Sequence, residues 1–214
     1  LEAACAQTGL SPAHLLEKDI WVVWVLSAIY ESDLASKLTF KGGTSLSKVY
    51  RIIDRFSEDV DLTYDIRELA ADLLKQGNPI PDSASQEKKI SSAVRHRLPD
   101  WIKATVKPVI AAALAKDGLD ASLALAGKDW DKLILSYPAV KTGTGYSAPT
   151  IQLEFGARAT GEPHHVQPVV CDIAPEIEGV IFPVAQPLVM AAERTFWEKA
   201  TAAHVYCLQG RLRG

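Results

Sequence analysis

The sequence predicts an α+β fold built around one mixed sheet, and three observations point to it. Segments with helical period and segments with a period of two follow one another as helix, strand, helix, strand, helices, a run of strands and a terminal helix. That order does not form a regular βαβ series. Val60, Leu62 and Tyr64 alternate with Asp59, Asp61 and Thr63, the mark of a strand with one buried face. The length of 214 residues, 48% of them hydrophobic, suffices to bury one core with a small helical appendage. Residues 1–185 are read as that core with an N-terminal helix, and 186–214 as the start of an incomplete C-terminal helical part.

Ser11-Pro12 supplies a capping hydroxyl and a proline at the first helical position, and a helix is expected from there to about Ser32. Leu38 to Lys41 forms a short strand entering the turn Gly42-Gly43. Thr44 to Asp54 then places Leu46, Val49, Ile52 and Ile53 on one helical face. Val60 to Tyr64 is the next strand, and Arg67 to Lys75 the next helix. Gln76 to Ser85, with Gly77, Pro79 and Pro81, is a loop. A long helical region from Gln86 to Lys116 is expected to kink near Pro99 and Pro108. Strands are expected at 121–126, 133–137, 151–158 and 166–173, with a Gly/Ser/Thr loop over 141–149. Gln186-Pro187 is read as the opening of the last helix, which runs to about Gln209.

The net charge of −3 provides no general basic field, so any nucleic acid would have to meet a local patch. Cys5, Cys171 and Cys207 are odd in number and show no CxxC spacing, which speaks against a disulfide framework or zinc site and for a reducing cytoplasm. No basic-then-apolar leader opens the chain. The apolar run from Ile20 to Tyr30 is shorter than the roughly 20 residues a bilayer requires. The chain begins with Leu and stops at Gly214 directly after a helix, as a piece of a longer protein would.

The chemistry is concentrated in two neighbouring motifs. In Phe40-Lys41-Gly42-Gly43-Thr44-Ser45-Leu46-Ser47-Lys48, glycines at a strand-to-helix junction let backbone approach a phosphate. Gly42 and Gly43 would form that approach. Thr44 and Ser45 would add hydroxyl donors, and Lys48 would reach a phosphate from one turn further on. Taken alone, Gly-Gly is a tight turn, and neither a P-loop nor a GxGxxG pattern is present. In Arg55-Phe56-Ser57-Glu58-Asp59-Val60-Asp61-Leu62, Asp59 and Asp61 share one strand face and can grip one or two Mg²⁺ or Mn²⁺ ions. Taken alone, DxD fits a solvated strand edge. The apolar opposite face changes that, because adjacent like charges on a packed strand are costly without a cation.

Two-metal phosphoryl transfer calls for a third carboxylate. In Ile151-Gln152-Leu153-Glu154-Phe155, Gln152 and Glu154 project together, which makes Glu154 the choice over Asp172. In the last helix, Glu193-Arg194-Thr195-Phe196-Trp197-Glu198-Lys199, Arg194 and Glu198 are spaced to pair, and Lys199 could reach a triphosphate. The histidines form no metal spacing, although His96 between Arg95 and Arg97 could belong to a basic patch. Trp21 and Trp24 are read as core.

These two motifs closely resemble those of the AbiEii/AbiGii toxin family, nucleotidyltransferase-like toxins of type IV toxin–antitoxin and phage-defence systems related to the DNA polymerase β superfamily. Glu17-Lys18-Asp19-Ile20-Trp21 and the 193–199 segment share the likeness, which is weak between Gly77 and Pro149. The resemblance implies a polymerase-β-type nucleotidyltransferase core followed by a helical C-terminal part. It implies Asp59 and Asp61 as metal ligands, Gly43, Thr44 and Ser57 around the phosphates, and Lys199 as the lysine of the C-terminal helix. It further implies transfer of a nucleotide from an NTP, in some members to tRNA 3′ ends, and a cognate antitoxin. The family's downstream Arg/Asp motif has no counterpart before Arg211-Leu212-Arg213-Gly214.

The resulting expectation is a metal-dependent nucleotidyltransferase. Asp59, Asp61, Glu154 and Lys199 would carry the chemistry, with Glu154 completing the metal set or taking the proton of the attacking hydroxyl. The alternative is a non-catalytic NTP-binding module that acts through a partner protein.

Overall fold

The structure is a computed structural model and describes residues 12–54, 57, 59–140 and 148–210. Helix α1 (Ala13–Tyr30) leads into β1 (Leu38–Lys41), α2 (Gly42–Lys48) and β2 (Asp59–Tyr64). A short α3 (Ile66–Leu69) and two 3-10 turns precede α4 (Ala84–Trp101) and α5 (Lys107–Asp117). Then come β3 (Ser122–Ala126), β4 (Lys132–Ser136), β5 (Thr150–Gly156), β6 (His164–Val166), β7 (Val169–Val170), β8 (Val184–Ala185) and β9 (Leu188–Met190). Helix α6 (Ala192–Leu208) closes the described chain. The α+β expectation holds: seven strands form one mixed sheet in the order β3-β4-β5-β2-β1-β9-β6, and β7 and β8 form a separate pair.

The middle of the sheet sets the site. β2 runs antiparallel to β1 and parallel to β5, and β5 runs antiparallel to β4. Val60, Leu62 and Tyr64 turn to the core, as their alternation requires. Trp101, at the end of α4, stacks on Tyr64 with ring centroids 3.8 Å apart. Helix α1 buries Val22, Val25, Leu26 and Ile29 and packs on α5, β5 and β8. It is apolar nearly all round, so it sits inside the fold rather than on its surface. Trp21 and Trp24 are half-buried against this core, and Trp21 stacks on Tyr137 at 5.0 Å.

Several boundaries depart from the sequence reading, each for a local reason. Helix α2 ends at Lys48, well short of Asp54, and Arg51 takes a left-handed φ of 52° as the chain turns back toward the sheet. The long helical region is not broken at its prolines. Pro99 lies within α4, and a π-helical turn (Ile102–Val106) bridges to α5, whose second residue is Pro108. A proline contributes no N–H, and a widened turn redistributes the ladder next to it. The strand expected over 166–173 is two short strands, β6 and β7. The segment after Pro187 does not open the last helix. Leu188–Met190 is β9, hydrogen-bonded between β1 and β6, and α6 starts at Ala192. Ser11, the 141–147 part of the Gly/Ser/Thr loop, and Arg55, Phe56 and Glu58 lie outside the described residues.

Candidate active site

Register across the sheet places four charged residues in one row. Lys41 of β1 is opposite Asp61 of β2, Asp61 is opposite Glu154 of β5, and Glu154 is opposite Lys132 of β4. Directly opposed residues share a sheet face, so the row reads cation, acid, acid, cation across four strands. Asp59 lies two residues along the same face and is opposite Gln152.

The Gly-Gly turn fits under this row. Gly42 has a φ of +82°, and a β-carbon built on it would stand 1.8 Å from Asp61 Oδ2. Glycine is required there twice over, for its conformation and for the space the carboxylate fills. Gly43 is buried beside it in α2. Thr44, also buried, donates its hydroxyl to the Asp59 carbonyl and lies 3.5 Å from the Ser57 carbonyl. Ser45 donates to the Gly42 carbonyl at 3.0 Å. Both hydroxyls therefore spend their protons on backbone, and Thr44 ties the start of α2 to the start of β2.

Lys48 does not extend along the phosphate direction expected of it. Its ammonium pairs with Asp19 of α1 and, at 3.0 Å, with Asp172, and it is nearly buried. The Asp172 amide donates to Asp19 at 2.8 Å. Burial pushes the Asp19 carboxyl upward and the Lys48 charge opposes that rise. The arrangement is a clamp joining α1, α2 and the segment after β7. Glu17 and Lys18, the neighbours of Asp19, are also buried, and bind the Val140 amide and the Ala148 carbonyl.

Helix α6 closes one side of the site. A cleft of about 200 Å³ is lined by Lys41, Gly42, Asp61, Thr195, Glu198, Lys199 and Ala202. Glu198 holds Lys41 at 2.7 Å and accepts from Arg194 at 3.3 Å, so the expected Arg194–Glu198 pair forms with Lys41 as a third member. Lys199 is exposed at the mouth and acts electrostatically on Asp61. Thr195 is 2% exposed, and its hydroxyl is the buried side-chain polar atom left without a hydrogen-bond partner among the described residues. Such a group is costly to leave unpaired, and its place in the cleft wall suits an incoming acceptor.

Asp61 is the carboxylate of the cleft whose protonation is shifted. Burial, with Glu154 as the next cause and Asp59 as a lesser one, pushes its carboxyl up to about 6, against the opposing pull of Lys41 and Lys199. Glu154, by contrast, is compensated by the Lys132 ammonium. Gln152 Nε2 donates both to Glu154 Oε1, at 2.6 Å, and to Asp59 Oδ1, at 3.0 Å. Among the described residues, no three of His, Cys, Asp and Glu converge closely enough to hold a metal ion. The expected set of Asp59, Asp61 and Glu154 is therefore one face but not one ligand cage. Asp59 and Asp61 still fit a divalent cation: two hard oxygen donors on one strand face, an Asp61 carboxyl on which burial and acidic neighbours outweigh the lysines, and a cradle that only Gly42 leaves open.

Sequence reasoning passed over Lys41, Lys132, Gln152, Thr195 and Glu198 as site residues. The signals existed in part, since Gln152 and Glu154 share a face and Lys41 lies next to Gly42, but strand register was needed to align them.

A helix N-terminus behind a Gly-Gly turn, set beside a DxD strand in a mixed sheet, is the frame of a nucleotidyltransferase-like protein. The chain belongs to the family described as nucleotidyl transferase AbiEii toxin of type IV toxin–antitoxin systems, which matches residues 24–214. Its fold is similar to that of MenT4, a nucleotidyltransferase toxin from Mycobacterium tuberculosis H37Rv, with a TM-score of 0.51 and 17% sequence identity. That likeness covers 94% of this chain and 57% of the MenT4 chain, so this chain spans little more than half of its structural relative. No curated protein matches the sequence. Among the described residues, no helix is long and apolar enough to cross a membrane.

Proposed function

We propose that this protein is a toxin that transfers a nucleotide from an NTP to an RNA acceptor such as a tRNA 3′ end, with Mg²⁺ or Mn²⁺ as cofactor. The single observation that carries the reading is the placement of Asp61 in a cleft between Gly42 and the lysines Lys41 and Lys199. Asp59 and Asp61 would hold the divalent ion, which supplies neutralisation of the polyphosphate when bound. Lys41 and Lys199 bring two positive charges to the same cleft for the triphosphate, and the unpaired Thr195 hydroxyl can donate to a phosphate oxygen. Gly42 and Gly43 leave backbone room, while Thr44, with the Ser57 and Asp59 carbonyls, fixes the carboxylate strand against the turn. Positioning and fixed charge then do most of the chemistry, as is general for phosphoryl transfer.

The surface beside the cleft supports a nucleic-acid acceptor. A groove of about 440 Å³ shares Lys41 and Glu198 with the cleft and adds Arg95 and Arg158. Next to it, Arg158, Arg194, Trp197 and Tyr206 line a wider depression. Trp197 and Tyr206 are exposed, at 65% and 50%. Arginines beside exposed aromatic rings suit a single-stranded end, whose phosphates and bases they can meet. Action in the cytoplasm, restraint by a cognate antitoxin and a part in phage defence accompany this reading.

Incubation with each labelled NTP, Mg²⁺ and total RNA tests it. Label transferred to RNA by the wild type and absent with Asp59→Ala and Asp61→Ala is the expected result. Nucleotide binding without transfer to RNA or protein would instead mark a non-catalytic module.

A further inference from the structure

The carboxylate face of the sheet has a third step, and one side of it is bare. Along β2 and β5 the opposed pairs on that face are Asp59 with Gln152, Asp61 with Glu154, and Thr63 with Gly156. Gly156 lies about 7 Å along the strand from Glu154. A β-carbon built on it would meet nothing within 4 Å, and its φ is not left-handed. Unlike Gly42, this glycine is required neither by its backbone conformation nor by a neighbouring side chain. A glycine inside a strand weakens the strand, and it often marks a place where a ligand comes close to the backbone.

The room above Gly156 opens into the groove of about 440 Å³. Val94 and Leu98 of α4 give that groove an apolar wall. Arg158 and Arg95 bring guanidinium groups to it, Arg95 being paired with Asp129 at 3.6 Å. The groove meets the NTP cleft at Lys41 and Glu198. It meets the depression that carries Trp197 and Tyr206 at Arg158 and Glu198. A mononucleotide needs a single recess, whereas a polynucleotide needs a continuous track. The groove supplies the link in such a track, and Gly156 lines the groove without forming part of the cleft wall.

Resting on the nucleotidyl-transfer reading, we infer that Gly156 is a specificity-determining residue for the acceptor: the space above it seats the terminal nucleoside of the RNA. The reacting end of that nucleoside faces Lys41 and Glu198, and the preceding nucleotides run toward Arg158 and Trp197. A side chain at position 156 would fill the seat and leave the triphosphate cleft intact.

Transfer from each labelled NTP with Mg²⁺, measured against the concentration of NTP and of total RNA separately, tests this. Gly156→Leu melts no lower than the wild type, keeps its KM for NTP, and has a KM for RNA raised about tenfold or more. Gly156→Ala, with one added carbon, raises the KM for RNA less and also keeps the KM for NTP. Should Gly156→Leu melt lower, Gly156→Ser decides the matter by the same two constants. An unchanged KM for RNA, or a KM for NTP that rises with it, would overturn the inference and leave nucleotidyl transfer standing. A wild type that labels no RNA would overturn the reading beneath it as well.

Discussion

Gly42 and Asp61 are packed so closely that one leaves no room for a side chain on the other: a β-carbon at Gly42 would fall 1.8 Å from Asp61 Oδ2 and 2.6 Å from its Cγ. The glycine is thus part of the carboxylate's seat. Gly42→Ala must displace Asp61 and strain a backbone at φ +82°. The expected outcome is a folded protein, destabilised by about 1–3 kcal/mol, whose transfer rate falls by about 100-fold or more. Melting and labelled-NTP transfer, measured on the same preparation, check both numbers. Full activity would mean that Asp61 has no fixed position to lose.

Asp61 gives the protein a pH signature. Its carboxyl is pushed up to about 6, so the folded state holds this proton more tightly than the unfolded chain, where the value is 3.8. The sign follows from linkage: the stability it contributes is complete below the unfolded value and is lost as pH rises through about 6. Asp61→Asn should therefore be more stable than the wild type at pH 7.5, by about 2 kcal/mol, with the gap closing toward pH 4. Added Mg²⁺ should narrow the gap by stabilising only the wild type. Urea melts of both proteins at several pH values would show a constant gap if Asp61 were not the cause.

Thr195 should separate folding from binding. Its buried hydroxyl has no partner, so Thr195→Val removes a cost and should raise stability without ligand by about 1 kcal/mol. The same change should raise KM for the NTP several-fold, because the hydroxyl is then missing from the cleft wall. A variant that gains stability and keeps its KM would remove Thr195 from the phosphate site.

Lys48 should behave as a structural residue. Lys48→Met leaves Asp19 buried beside Asp172 without a counter-charge, and a loss of about 3 kcal/mol is expected. The Asp19→Asn, Lys48→Met double variant should recover part of that loss. Once folded at low temperature, Lys48→Met should bind NTP as the wild type does. A raised KM in place of a lowered melting temperature would return Lys48 to the phosphates.

Much of the site was legible from local pattern. Strict alternation through Asp59–Tyr64 placed both aspartates on one face, and Gly42-Gly43 after a four-residue strand marked the turn. The place of Glu154 on the face of Asp61 followed from the same alternation in β5. The failures involve residues whose role depends on a distant partner. Lys48 has helical spacing suited to a phosphate, yet Asp19, 29 positions away, and Asp172, 124 positions away, hold it. Leu188–Met190 follows a proline as a helix start would, but becomes a strand because the edge of β1 is there to be paired.

The sequence by itself determined the α+β class, the family, the strand faces and the order of turn and carboxylates, because each is written in a period of two or 3.6 or in a contiguous motif. Tertiary structure decided which charges meet. Only the register of β1, β2, β5 and β4 aligns Lys41, Asp61, Glu154 and Lys132, and only the return of α6 brings Glu198 to Lys41 and Thr195 into the cleft. Those are contacts between residues up to 157 positions apart, and side-chain charge acts through distance in space, which a linear pattern does not contain.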